Sequence, residues 1–162
     1  MSTTASRQRL LPPLDGGLIV TILIAGTLAV LSWELWARLA TPLLIGAPLD
    51  TASLVQSVLG LHDRTAAEAI HGVVGLLLYP LSYLFVARPL QRLMFPDMSV
   101  VLTGAFFGVA LWVFALYAMA HLMAGYPAFF GFIPLTWASL AGHVLFGVAI
   151  AAVVRFREGE EA

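Results

Sequence analysis

MSVVLTGAFFGVALWVFALYAMAHLMA, residues 98–124, contains no Asp, Glu, Lys or Arg. A helix needs about 20 mostly apolar residues to cross the hydrocarbon of a bilayer. This stretch exceeds that length, and three others resemble it, at roughly 17–39, 66–87 and 134–154. The chain is 162 residues long, with 60% hydrophobic and 10% charged residues. Soluble proteins carry about 25% charged residues. So few charges cannot clothe a water-facing surface, but they can mark the ends of bilayer spans. The mean hydropathy is +0.95. The expected fold class is an all-α membrane protein with four transmembrane helices arranged as two hairpins. One domain, 17–154, holds them between an N-terminal tail, 1–16, and a C-terminal tail, 155–162.

The ends of the spans carry local signals. Thr65-Ala66-Ala67-Glu68 reads as a capping box opening the second helix. Arg88-Pro89 is expected to close it, because proline disfavours helix in the residue before it. Pro80 predicts a kink within it. Asp97 or Ser99 can cap the third helix and Gly125 can end it. Pro134 suits the first turn of the fourth. The first span follows Arg7 and Arg9 as a signal peptide would, but no small-x-small cleavage site closes it, so it reads as a retained helix.

All eight basic residues are arginine. Six, at 7, 9, 88, 92, 155 and 157, fall on one side of the four-span arrangement, against Arg38 and Arg64 on the other. The positive-inside rule then puts both termini in the cytoplasm, in the inner membrane of the cell. Trp33, Trp36 and Trp137 fall near the outer interface, where indoles accumulate. The outer connection 40–64 contains DTASLVQSVLG, with Asp50 as N-cap and Gly60 at its end. It predicts a short amphipathic helix on the membrane surface. The aromatic loop GYPAFFGFI, 125–133, reads as an interfacial anchor.

A parallel internal repeat is also visible. Gly17 to Glu34 and Gly104 to His121 share a spacing, and His71-x-x-x-Gly75 returns as His143-x-x-x-Gly147. Two hairpins related about the membrane normal would give this pattern.

Ionisable groups inside spans are costly and mark functional sites by default. Here they are Glu34, His71, His121 and His143, one from each span. At 1.5 Å per residue they lie about 5–13 Å below the outer surface. Facing helices often build metal sites from such groups. Three imidazoles and a carboxylate suit a transition metal. Alternatively, His71 and His143 could ligate haem b, with Gly75 and Gly147 leaving room for the macrocycle and Arg38 or Arg64 meeting its propionates. A proton relay is a third use of the imidazoles. A plainer account is helix packing: Glu34 pairs with Arg38, and histidines and glycines hold helices together. His62 and Asp63, in the outer loop, read as solvated.

Other chemistry is missing. Cysteine is absent, so disulfides and thiolate ligands are too. There is no Walker loop, dinucleotide fingerprint or GxSxG elbow. An ordinary enzyme is not expected. A net charge of −1 speaks against a nucleic-acid partner.

The order of motifs resembles a group of uncharacterised four-helix membrane proteins of bacteria and archaea, classed as domains of unknown function. The motifs are a glycine-rich first helix, Pro48-Leu49-Asp50, His71-x-x-x-Gly75, Gly104-x-x-x-Gly108, MAGYPAFFGF and Gly142-His143-x-x-x-Gly147, spread over 16–154. The resemblance implies a compact four-helix membrane bundle and assigns no activity. It points toward small subunits beside respiratory oxidases. The resulting expectation is an accessory or assembly subunit of a larger respiratory or redox membrane complex, with partner subunits or copies of itself around it. The rivals are a haem- or metal-binding membrane protein and a small transporter or channel acting as an oligomer.

Overall fold

The structure is a computed structural model that describes residues 10–160. Arg7 and Arg9, with most of the N-terminal tail, lie outside the described residues. Every regular element among those described is helical. Four helices are long and apolar enough to cross a membrane: α1 (Gly16–Ile45), α3 (Arg64–Met94), α4 (Val100–Met123) and α5 (Pro134–Gly159). Between α1 and α3 lies the short helix α2 (Thr51–Leu59). A single turn of 3₁₀ helix, Ala128–Gly131, precedes α5. The chain is thus a multi-pass membrane protein by the length and apolarity of its helices.

Several helix ends fall where their capping residues demand. The Asp50 carboxylate accepts from Ser53 N at 3.2 Å and opens α2, which Gly60 closes at a φ of 66°. Ser99 accepts from Leu102 N and opens α4, and Gly125 follows its end at a φ of 75°. Pro134 begins α5. The start of α3 differs from expectation. Asp63 is its N-cap, accepting from Thr65 N and Ala66 N. Glu68 turns instead to Arg64, 3.1 Å away. An acceptor two residues ahead of Thr65 reaches the free N–H groups first, so no capping box forms.

Pro89 also behaves differently from expectation. α3 does not stop at Arg88-Pro89 but runs on to Met94. Each proline inside a helix follows a π turn: Trp36–Ala40 before Pro42, Val74–Leu78 before Pro80, Tyr83–Ala87 before Pro89. Proline removes one backbone donor and crowds the preceding turn. Widening that turn to i→i+5 bonding relieves the crowding without breaking the helix. Helix continuity is strongly favoured in lipid, where a freed carbonyl has no water to meet. One freed group is put to use here: Ala37 O accepts from both Leu49 N and Thr41 Oγ1, which pins the α1–α2 connection to α1.

α5 is the centre of the packing. Half of its most apolar window is buried, against 22% for α3 and 28% for α1. Gly104 and Gly108 of α4 lie directly on the backbone of His143, Gly147 and Val148. On another side of α5, Gly142 meets the rings of Trp33 and Trp36 of α1. Trp36 Nε1 donates to Ala138 O at 2.8 Å. Ala25, Ala29, Tyr83, Phe107, Phe146 and Ile150 fill the space between. Small residues at these crossings let the backbones approach, which is how helices associate without a hydrophobic drive. The outer faces of α1 and α3 expose leucines, valines and isoleucines, as acyl chains require.

Candidate functional site

A cavity of about 230 Å³ lies between α1, α3 and α5 under the α1–α2 connection. Glu34, His71 and His143 all line it. His121 does not. Its Nδ1 is 2.7 Å from Tyr126 O, and its ring packs on Tyr117. The expected four-residue cluster therefore holds three residues, and His121 instead ties the end of α4 to the following loop. His121 lies in a π-helical run, Phe114–Met123.

His143 is 8% exposed. Its Nδ1 lies 2.8 Å from Ser139 O. A carbonyl oxygen only accepts, so Nδ1 carries the proton in this bond. The neutral ring then leaves Nε2 as a bare acceptor. Trp33 packs edge-on against the ring, with centroids 4.8 Å apart, and lies 6.1 Å from the centroid of His71. Trp33 is 5% exposed. It is thus a wall of the site rather than the interfacial anchor expected of it, whereas Trp137 is 54% exposed. No described residue hydrogen-bonds the imidazole of His71 or the hydroxyl of Tyr79, and both line the cavity. Polar groups this deep in a membrane bundle need partners.

The mouth is charged. Glu34 and Arg38 form an ion pair one helical turn apart. Arg64 grips Asp50 with two bonds of 3.0 Å and Glu68 with one of 3.1 Å. Three carboxylates thus face two guanidiniums, an excess of one negative charge. Arg38 and Arg64 are taken up by these acids rather than held for propionates. His62 is exposed, and its carbonyl accepts from Gln56 Nε2.

The residues do not fit a haem clasped by His71 and His143. A Cβ at Gly75 would meet Val30 at 3.0 Å and the Phe146 ring at 3.7 Å. Gly147 faces the backbone of Gly104 and Gly108. The space beside both glycines is taken by neighbouring helices, and no slot for a macrocycle remains. The cavity is also smaller than the roughly 300–1,000 Å³ of drug-sized sites. Among the described residues no three His, Asp or Glu side chains converge as a metal site does, so the expected metal set is not formed.

Sequence reasoning passed over Trp33, Tyr79, Asp50 and Glu68 as lining residues. Tyr79 carried a signal: His71, Gly75 and Tyr79 are spaced four apart and share a helix face. Asp50 carries the mouth's structure. Hydrogen bonds from Arg64 and then Ser53 pull its carboxyl from 3.8 down to about 2. A carboxylate held below its unfolded value stabilises fully above about pH 4 and loses that effect as pH falls through about 2. Asp50→Asn should therefore loosen α2, seen as faster amide exchange over 51–59, and should flatten the change in exchange between pH 4 and 2. Unchanged exchange at neutral pH would show that the Arg64 clasp does not hold α2.

No family model, curated protein or solved structure matches this chain.

Proposed function

We propose that this chain binds a small guest in the cavity between α1, α3 and α5, as a binding protein of the cytoplasmic membrane. The guest carries a hydrogen-bond donor and is neutral or cationic. The carrying observation is the 2.8 Å contact of His143 Nδ1 with the Ser139 carbonyl: an N–H given to that acceptor leaves Nε2 of the neutral ring with a lone pair for a donor. The negative excess at the mouth favours a cation over an anion. The aromatic walls Trp33, Tyr79 and Phe146 suit an ammonium, whose charge is attracted to ring faces. Mass and elemental analysis of protein drawn from native membrane in mild detergent tests this. A stoichiometric guest supports the reading, and an empty cavity in freshly extracted protein overturns it.

An accessory role in a larger respiratory or redox complex is a second proposal. The low burial of α1 and α3 supports it, since their outer faces are free for a partner as well as for lipid. Membership of the uncharacterised four-helix group rests on the motifs that carry the resemblance.

Two finer features of the architecture belong with these proposals. One is the duplicated hairpin. Gly26 of α1 packs on the backbone of Leu76, and Gly104 of α4 packs on that of Val148. Each contact falls five residues beyond the histidine of its hairpin, His71 or His143. This supports a repeat, though in a register that pairs Gly26 with Gly104 and not Glu34 with His121. The other is orientation. Arg88, Arg92, Arg155 and Arg157 gather at one end of the bundle with Leu10 and Asp15, which supports both termini on one side, and the arginine excess assigns that side to the cytoplasm. Reporter fusions after residues 45 and 128 should read outside, and those after 93 and 160 inside. A fusion after 93 that reads outside would sink this topology.

A further inference from the structure

One side of the guest cavity is closed by a part of the chain that belongs to no membrane span. Residues 47–59, which are the α1–α2 connection and α2, contribute Pro48, Leu49, Asp50, Thr51 and Ala52 to its lining. The rest of the lining comes from α1, α3 and α5. Within 47–59 only Ala52 is buried. A segment so thinly packed opens locally at low cost. Gly46 and Gly60 stand at its two ends, with φ of 77° and 66°. Nothing lies within 4 Å of a Cβ placed on either. Such residues can absorb the backbone rotation of a hinge.

The bonds that hold this segment down are all replaceable. Arg64 holds the Asp50 carboxylate with two bonds of 3.0 Å, and both side chains are about half exposed. Leu49 N donates to Ala37 O at 3.2 Å. Ser57 Oγ lies 3.0 Å from the hydroxyl of Tyr126. When the segment lifts, Arg64 still has Glu68 at 3.1 Å. Asp50 still has Ser53 N at 3.2 Å and Ser53 Oγ at 2.6 Å. Ala37 O still has Thr41 Oγ1. Ser57 and Tyr126 are exposed, so water can meet their hydroxyls. Of these groups only Leu49 N loses its partner outright, and it moves toward water as it does so. The closed form therefore competes with an open one that strands no buried polar group.

We infer that residues 47–59 form a hinged cover over the guest cavity, with the Arg64–Asp50 clasp as its latch. The cover turns on Gly46 and Gly60 and gates passage between water and the cavity, as lids over binding sites do. What it admits rests on the binding reading above, whereas the opening itself does not.

Val30→Cys supplies the reporter for a test on the full chain in detergent. The chain has no cysteine of its own, and Val30 lines the cavity one turn deeper than Glu34. The probe is aminoethyl methanethiosulfonate, a small ammonium reagent that couples to thiols. Native mass spectra give its labelling rate and the occupancy of any guest in the same sample. Asp50→Asn combined with Arg64→Gln releases the latch without changing the net charge. It should speed labelling of Val30→Cys by roughly two- to fivefold, the range that an exposed ion pair supplies. If the combined variant fails to fold, the two single substitutions replace it. They change the charge of the mouth in opposite senses, so a cationic probe labels both faster only if the latch is the cause. An unchanged rate in the combined variant, or single variants that do not both label faster, overturns the cover. Faster labelling of a cavity that holds no guest keeps the cover and overturns the guest. A bound guest with an unchanged rate does the reverse.

Discussion

Gly108→Leu is expected to leave no folded monomer in detergent, and Gly108→Ala to lower the melting temperature by roughly 6–12 °C. The cause is the closeness of α4 and α5. A Cβ placed on Gly108 falls on the carbonyl oxygen of His143 and lies 2.7 Å from Val144 Cα. These are backbone atoms, which cannot rotate aside as a side-chain tip would. The reverse contact is equally tight, since a Cβ on Gly147 falls on the Gly104 carbonyl. Overpacking usually costs about 1–3 kcal/mol, and a clash between two backbones belongs at the upper end. For a chain of this size each kcal/mol moves the melting temperature by roughly 2–4 °C. Gly16→Ala is the matched control, because nothing lies within 4 Å of its Cβ position. Melting followed by fluorescence-detected size exclusion reads all three variants. A monodisperse Gly108→Leu protein with unchanged melting would show that the α4–α5 contact is not built as described. The contact also bears on the site, since the backbone it presses on carries His143.

How much of this was legible in the sequence depends on the kind of signal. The four spans were legible because length and apolarity alone define them. So were α2 and the ends marked by Asp50, Gly60, Ser99, Gly125 and Pro134, because each of these residues satisfies local backbone groups without help from the rest of the fold. The rotation of each helix about its axis was not legible. α4 is apolar on every side, and α1 is so up to the turn that carries Glu34 and Arg38, so little in the pattern says which way they point. Trp33 therefore looked like an interfacial indole and proved to be a buried wall. The depth of His121 could be counted along the chain, but its partner, the Tyr126 carbonyl in the following loop, could not. Asp63 displaced Thr65 as the cap because it starts the helix two residues earlier: it takes the N–H groups of Thr65 and Ala66, and Ala67 N then bonds Asp63 O. Pro89 was read by rules learned in water, where a helix end finds solvent partners, whereas in lipid continuity is favoured and a π turn absorbs the proline.

His143→Gln should leave the fold nearly intact and empty the guest cavity. Glutamine can still donate to Ser139 O through its amide, so the anchoring bond survives in kind. What it cannot offer is the bare ring nitrogen at the position of Nε2, and its flexible carbonyl is not held there by an adjoining ring. Hydrogen bonds between membrane helices are worth only about 0.6–2 kcal/mol, so the loss of stability should stay within that range. Loss of guest should be complete at the concentrations reached during purification. His71→Gln should weaken retention, since His71 lines the same cavity beside Trp33. His121→Gln should not alter it, because His121 is spent on Tyr126 O outside the cavity. That contrast separates the site seen here from a cluster of four equivalent ligands, in which His121 would matter as much as the others. Native mass spectrometry and elemental analysis of the three variants read guest occupancy, and melting reads the fold in parallel. A His143→Gln protein that keeps its guest at full stoichiometry would reduce His143 to helix packing and remove the basis of the binding proposal.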